Sequence, residues 1–315
     1  MDRKHDVFSV LIWLVIAVVL LGFVFVSEGF TGNVVFGNVF SEKSITGNVV
    51  SGESCYLYFT ESYRIRRTNL DGSNVQTIYD RSPGVFTDMA IDNKNKRIYW
   101  TYNNLIRSAD MTGTNIKFLV SNARKARGIF VDTKNDKIYW ADAGYDKIQR
   151  ANLDGSNVED FYVGGVGADP QDVVVYRDKV YWISAYVNRW KFGSDFRLQR
   201  ADLDGSNVED LIYLEGEGGS TALGLTAYNN KLYWTDDYTN EIVSANLDGS
   251  NVEPVVSGLH SPHGIDIFDG KIYWGNYNYN SRSIKKADLD GSNLIDFIDP
   301  SNYDELIGPR GIAFG

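Results

Sequence analysis

A short motif recurs through most of this chain at a nearly constant interval. LDGSN, or the related MTGTN, starts at Leu70, Met111, Leu153, Leu203, Leu247 and Leu289. Successive copies lie 41 to 50 residues apart. A period of this length indicates one supersecondary unit whose copies pack against each other. The repeat therefore constrains the fold more than any local preference does.

Two further motifs follow the same period. An aromatic pair, YW in five copies and YF in the first, starts at Tyr58, Tyr99, Tyr139, Tyr181, Tyr233 and Tyr273. Short β-type runs such as GIFVD start at Asp88, Gly128, Asp172, Gly224, Gly264 and Gly311. Three motifs in six copies each indicate six equivalent units.

One unit contains four β-type runs separated by turn-forming segments. Between Gly128 and Val163 the runs are GIFVD, KIYWAD, KIQRANL and VEDFYV. The DGSN turn between the last two favours a hairpin, because glycine tolerates a positive φ. A single four-stranded sheet cannot bury both of its faces, whereas six sheets around an axis bury them against each other. The sequence therefore predicts an all-β six-bladed β-propeller with four-stranded antiparallel blades.

The two ends of the repeat region are incomplete in complementary ways. The first repeat, SGESCYLYF, lacks the β-type run that precedes the other aromatic pairs. Such a run instead ends the chain, in GPRGIAFG at Gly308–Gly315. We expect this C-terminal strand to be the inner strand of the first blade. That arrangement closes the ring and leaves few free sheet edges.

The aromatic pairs are predicted to stabilise the packing between blades. Alternate residues of a strand point to opposite faces of the sheet, and both faces of a blade meet neighbouring blades. We interpret the tryptophans of these pairs as structural rather than catalytic: Trp100, Trp140, Trp182, Trp234 and Trp274.

These motifs resemble a known family. YWTD at Tyr233–Asp236, with LDGSN and the β-type runs in six copies, is similar to the class B (YWTD) repeats of the low-density lipoprotein receptor family and its bacterial and archaeal relatives. The other blades depart from YWTD, and no cysteine-rich or EGF-like module flanks them, so we expect a prokaryotic-type member. The resemblance implies a six-bladed propeller with a binding or scaffold role.

The N-terminal segment is apolar. Residues 7–26 carry no charge, and twenty helical residues span about 30 Å of bilayer. We predict a cytoplasmic stub at 1–6 and a transmembrane signal-anchor helix at 7–26. Arg3 and Lys4 precede this helix, which places the rest of the chain outside the cytoplasm at the cell membrane. The alternative is a cleaved signal peptide, with small residues at Ser27–Gly29, and a secreted product.

The next segment separates this helix from the repeats. Residues 27–54 are rich in Gly, Ser and Asn and contain GNV three times, which is typical of a linker. Their Val and Phe content leaves open some pairing with the propeller, which we place at residues 55–315.

Composition narrows the class of partner. The chain has 31 basic and 41 acidic residues and a net charge of -10, which argues against nucleic-acid binding. Its single cysteine, Cys55, excludes an intrachain disulfide. The motif DLDGSN has its glycine too early for a calcium-binding EF-hand loop, so we predict hairpin turns there and neither a metal nor a cofactor.

A candidate binding site lies where the inner strands begin. Strand alternation brings the connections between blades to one end of the propeller, here called the top face. The residues just before the inner strands are Thr87, Arg127, Gln171, Leu223, His263 and Arg310. Two arginines and a histidine, with Gln171, predict a site for a carboxylate or another anion. A solvated rim without a small ligand is the alternative.

Blade four contains the one large insertion, Ala185–Arg197. It combines aromatic and basic residues, the composition of protein-binding hot spots. The candidate binding residues are Arg189, Trp190, Lys191 and Phe192. The alternative is that the insertion folds over its own blade.

Two classes of function remain. The first is a membrane-tethered binding or scaffold module that recognises another protein or a surface polymer through its top face. The second is a lactonase-type hydrolase with a metal in the central channel, for which Asp88, Asp172, His260 and His263 are the available ligands. Because these ligands are few, we expect a protein that is not an enzyme.

Overall fold

The computed structural model describes residues 55–81, 84–187, 194–214, 222–278, 282–298 and 308–315. The regular structure of these residues consists of β-strands. No helix among them is long and apolar enough to span a membrane. The predicted membrane helix at 7–26 and the predicted linker at 27–54 lie outside the described residues.

The described strands form six sheets of four antiparallel strands, which confirms the predicted propeller. Blade 1 contains β1 (Tyr56–Thr60), β2 (Arg64–Asn69), β3 (Gln76–Asp80) and the last strand, β24 (Ile312–Phe314). Each other blade uses four consecutive strands. Blade 2 contains β4 (Phe86–Asp92), β5 (Arg97–Tyr102), β6 (Leu105–Asp110) and β7 (Lys117–Val120), and blade 3 contains β8 (Ala126–Asp132), β9 (Lys137–Asp142), β10 (Lys147–Asn152) and β11 (Glu159–Val163). Blade 4 contains β12 (Pro170–Tyr176), β13 (Lys179–Val187), β14 (Ser194–Asp202) and β15 (Glu209–Leu214), blade 5 contains β16 (Ala222–Tyr228), β17 (Lys231–Asp236), β18 (Glu241–Asn246) and β19 (Glu253–Val256), and blade 6 contains β20 (Pro262–Phe268), β21 (Lys271–Asn276), β22 (Ser283–Asp288) and β23 (Ile295–Ile298).

The ring closes as the sequence predicts. Strand β24 pairs antiparallel with β1, and Tyr58 faces Ala313 across this pair. The Tyr56 amide donates to the Gly315 carbonyl at 2.7 Å, and the Thr60 amide donates to the Gly311 carbonyl at 2.9 Å. The inner strands β4, β8, β12, β16, β20 and β24 contact each other in a closed circle.

Aromatic side chains fill the seams between blades. The five tryptophans of the YW pairs are at most 2% exposed. Three of them contact a ring from the preceding blade: Tyr79 lies 5.4 Å from Trp100, Tyr162 lies 4.7 Å from Trp182, and Phe196 lies 5.8 Å from Trp234, between ring centroids. Such pairs stabilise beyond the area that they bury.

The repeated Asp-Gly turns also serve inter-blade packing. Their glycines have φ between +81° and +85°, which disfavours any side chain. A Cβ on Gly113 would lie 2.0 Å from the Ile78 carbonyl oxygen of the preceding blade, and the other five glycines face the preceding blade in the same way. The turns of the bottom face, opposite the top face, therefore need both the dihedral angles and the small size of glycine to pack against the preceding blade.

The structure describes part of the blade 4 insertion. Most of it extends the hairpin, because Ala185 pairs with Phe196 and Val187 pairs with Ser194. Phe196 is 1% exposed and stacks on Trp234, so this part of the insertion belongs to a seam. Residues 188–193, which include Arg189, Trp190, Lys191 and Phe192, lie outside the described residues.

Candidate functional site

The top face opens into a small cavity of about 90 Å³ at the mouth of the central channel. The six residues predicted to form the rim all line it, five as the second residue of an inner strand and Arg310 two residues before β24: Thr87, Arg127, Gln171, Leu223, His263 and Arg310. The structure therefore brings together the rim residues that the sequence singles out. The space suits an ion, a few waters or one inserted side chain, and it is well below the usual volume of small-molecule pockets.

Two aspartates narrow the channel just below this rim. The Asp88 carboxylate accepts the Ile129 amide at 2.9 Å, and the Asp172 carboxylate accepts the Leu225 amide at 2.7 Å, each from the next blade along the chain. The equivalent residue of blade 3 is Gly128, where a Cβ would lie 1.9 Å from an Asp172 carboxylate oxygen. The carboxylates occupy the space that glycine leaves and join neighbouring inner strands.

These two carboxylates were the acidic candidates for the metal site of a lactonase-type hydrolase. Asp88 and Asp172 each accept a backbone amide of the next blade. Within the described ranges, no group of three or more His, Cys, Asp or Glu side chains has the arrangement of a metal site.

One side of the rim is an internally paired cluster. The Arg127 guanidinium lies 3.3 Å from the Asp169 carboxylate and also donates to the Gln171 amide oxygen. The Gln171 amide in turn donates to the Asp169 carboxylate at 3.0 Å. Burial raises the pKa of Asp169, and the charge of Arg127 opposes that rise. Arg127, predicted as an anion ligand, thus already has a carboxylate partner.

The opposite side of the rim is cationic and aromatic. The Arg310 guanidinium donates to the Tyr277 hydroxyl at 2.8 Å and lies over the Tyr277 ring, 4.5 Å from its centroid. The His263 ring lies 4.8 Å from the same ring, between centroids. Burial, followed by the charge of Arg310, lowers the pKa of His263 to about 3. His263 is therefore neutral at physiological pH, and Arg310 is the charged group of this cluster.

Arg310 is the rim cation best placed to bind an incoming anion. Its Nε atom is buried without a hydrogen-bond partner, and among the described residues no carboxylate pairs with its guanidinium. A carboxylate or an amide oxygen entering the cavity would meet this donor beside a neutral histidine and a tyrosine ring. Charge-assisted bonds to arginine are among the stronger polar contacts in proteins.

Sequence reasoning missed two residues of the rim. Asp169 directly precedes β12 and Tyr277 directly follows β21, and no repeated motif marks either position. Their contacts with Arg127 and Arg310 bridge 42 and 33 residues of sequence. Asp169 could have been identified from the sequence, because it is an acid two residues before Gln171 in the connection between blades 3 and 4.

Comparisons with known proteins agree with the motifs and the fold. The family model described as "Low-density lipoprotein receptor repeat class B" matches residues 136–177. A protein of the fungus Pyricularia oryzae named low-density lipoprotein receptor-related protein 1 is 26% identical over 201 residues, which are 56% of this chain and 65% of the relative. The human low-density lipoprotein receptor-related protein 4 is 38% identical over 68 residues, 21% of this chain and 4% of its own. The chain thus covers less than two thirds of these relatives.

Solved structures show the same fold. A chain from the crystal structure of a nidogen/laminin complex superposes with a TM-score of 0.72 at 22% identity, covering 82% of this chain and 98% of that one. The putative TolB of Agrobacterium tumefaciens gives a TM-score of 0.60 at 14% identity, covering 82% and 91%. Together with the matching repeat model, these likenesses confirm the resemblance inferred from the YWTD, LDGSN and inner-strand motifs.

Proposed function

We propose that this chain, a propeller of low-density lipoprotein receptor class B (YWTD) repeats, is a membrane-tethered extracytoplasmic module that binds another protein through its top face. The observation that carries the proposal is Arg310. A donor with no carboxylate partner among the described residues lies at the mouth of a small cavity, beside the rings of His263 and Tyr277. The cavity accepts one side chain of a partner, and the surrounding top face supplies the rest of an interface.

The comparisons support a binding role in general terms. The relatives that match in sequence are named as receptor-related proteins, and one structural neighbour was solved in a complex that is titled nidogen/laminin. None of these names identifies the partner of this chain, because the sequence matches cover only part of each relative.

The described chain begins on the face opposite the proposed interface. The rim residue Arg310 lies two residues before β24, and Gly315, the residue after this strand, exchanges backbone hydrogen bonds with Tyr56. The described chain therefore starts at the bottom face, on the far side of the channel from the rim.

A paired comparison of capture efficiency tests the proposal. The tagged full-length protein is cross-linked on its own cells and its partners are identified, for the native chain and for Arg310→Gln. We expect Arg310→Gln to weaken capture of the specific partner by about thirtyfold, the effect of losing a hot-spot contact. Ser206→Lys, in an exposed bottom-face turn, is the matched control and should capture normally. Loss with Ser206→Lys and none with Arg310→Gln would place the interface on the bottom face.

The tether is tested separately by fractionation. We expect the native protein to stay in the membrane pellet after a high-salt wash, with an intact N-terminal peptide in mass spectrometry. A soluble product that starts near Phe30 would show that the apolar segment is a cleaved signal peptide.

A further inference from the structure

The six blades provide an internal comparison at one pair of facing positions. One residue of each third strand, the third residue in five blades and the sixth in the longer β14 of blade 4, faces the second residue of the outer strand. The pairs are Arg66–Thr77, Arg107–Phe118, Gln149–Asp160, Gln199–Asp210, Val243–Pro254 and Lys285–Asp296. Wherever the outer residue is an aspartate, it accepts a hydrogen bond from its facing side chain. Blade 2 instead combines the cation Arg107 with a phenylalanine.

Arg107 is a buried cation without an acid. Its side chain is 2% exposed, and its guanidinium lies 4.4 Å from the Phe118 ring centroid and 4.8 Å from that of Tyr102. Its hydrogen bond goes to the Tyr79 hydroxyl, at 3.1 Å. Among the described residues no carboxylate pairs with Arg107, and its Nε atom is buried without a partner. A buried charge is costly unless it is paired.

A second buried donor adjoins the same seam. Trp100 faces Arg107 across the β5–β6 pair, and its Nε1 atom is buried without an acceptor. In blade 4 the equivalent Trp182 donates to the Gln199 amide oxygen at 2.9 Å, whereas the Nε1 atoms of Trp140 and Trp274 in blades 3 and 6 are buried without an acceptor like that of Trp100. Arginine has no acceptor to offer. The seam therefore holds two buried donors, the Arg107 Nε and the Trp100 Nε1, that an oxygen ligand would satisfy.

A second cation lies at the surface of this seam. Arg81 is exposed and lies two residues after Tyr79, and interaction with the Tyr79 hydroxyl, followed by that of Tyr102, raises the pKa of its guanidinium. Phe118 is 66% exposed and covers the Arg107 guanidinium from outside. Strand β7, which carries Phe118, is the free outer edge of blade 2. We call this group, Tyr79, Arg81, Tyr102, Arg107 and Phe118, the Arg107 seam.

We propose that the Arg107 seam is a second binding site, which takes an acidic side chain from a segment of a partner protein. The partner's carboxylate replaces the aspartate that blades 3, 4 and 6 carry and blade 2 lacks. The exposed Phe118 ring gives the same segment an apolar contact, which favours a peptide over a free ion. Displacement of this ring opens the Arg107 guanidinium to the carboxylate. The site lies on the outer side of blades 1 and 2, away from the channel mouth, so it stands or falls independently of the top-face interface.

Two variants copy sister blades and therefore test the site without introducing foreign packing. Phe118→Asp restores the acid of blades 3, 4 and 6, and Arg107→Gln restores the amide of blades 3 and 4. The probe is a fluorescent tetraglutamate peptide added to the full-length protein, with tetraglutamine as the uncharged peptide. Lys147→Gln, which removes a cation from the equivalent sheet of blade 3, controls for net charge. The melting temperature of each variant reports whether it folds.

The native protein is expected to bind tetraglutamate in a salt-sensitive manner and not to bind tetraglutamine. Phe118→Asp and Arg107→Gln should each weaken binding at least about tenfold, as loss of a charge-pair partner does, while Lys147→Gln should leave it unchanged. The proposal is wrong if the native protein does not bind tetraglutamate, which would mean that water satisfies the buried donors. It is also wrong if folded Phe118→Asp binds as the native protein does.

Discussion

The carboxylate of Asp172 accepts the backbone amide of Leu225 at 2.7 Å, across the seam between blades 4 and 5. Its other oxygen accepts the Val173 amide at 2.7 Å. One buried side chain thus ties two inner strands together directly below the channel mouth. Asp88 makes the equivalent contact with Ile129 two blades earlier. The acids of the channel contribute to ring assembly.

Replacing Asp172 should therefore destabilise the propeller. Asp172→Ala leaves two amides without an acceptor, and we expect the free energy of unfolding to fall by about 2–3 kcal/mol in urea denaturation followed by tryptophan fluorescence. The control is Glu159→Ala, which breaks the half-exposed pair with Arg150 and should cost less than about 1 kcal/mol. Equal losses for the two variants would show that the Asp172 contact has no special role.

Two glycines separate the effect of backbone angle from that of space. Gly113 (φ +81°) faces the Ile78 carbonyl, whereas a Cβ on Gly270 (φ +68°) would have no atom within 4 Å. Gly270→Ala should cost about 1 kcal/mol, the strain of a positive φ. Gly113→Ala carries the same strain and a clash between blades, so we expect a loss of about 3 kcal/mol. Thermal unfolding of both variants gives the comparison, and similar melting temperatures would contradict the tight turn packing.

The lowered pKa of His263 predicts that the propeller loses stability in mild acid. Its pKa is lowered to about 3 in the folded state, while the unfolded chain has an ordinary value near 6.5. The unfolded state therefore binds a proton that the folded state excludes as the pH falls below about 6.5. We expect this group to remove at most about 2 kcal/mol of stability between pH 7 and pH 5. His263→Gln should flatten that part of the pH profile, and an unchanged slope would show that the histidine is not shielded.

Loss of ring closure should have the largest effect on the stability of the propeller. Deletion of Gly308–Gly315 removes β24 and leaves the inner edge of β1 without its partner. We expect the truncated protein to unfold or to aggregate in size-exclusion chromatography. A monomer with the native melting temperature would mean that blade 1 does not depend on the C-terminal strand.

The sequence by itself determined the number of blades, the strands in each and the way that the ring closes. These features are periodic or local: the spacing of the aromatic pairs, the Asp-Gly turns and the missing first strand can all be read along the chain. It also placed the residues of the channel mouth correctly, because the same position of each repeat must reach the axis. Arg127 and Arg310 occupy equivalent positions of their repeats, so the sequence does not distinguish them.

Only the tertiary structure distinguished these two arginines, since Asp169 pairs with one and Tyr277 with the other through contacts between loops. It likewise showed that Asp172 bonds to a residue 53 positions further on, and that the cation of blade 2 faces Phe118 where three of the other blades have an aspartate. A repeat determines which positions meet, because the backbone geometry is the same in every blade. Which charge is neutralised depends on the particular side chains that meet there, and only the three-dimensional neighbourhood of each residue decides that.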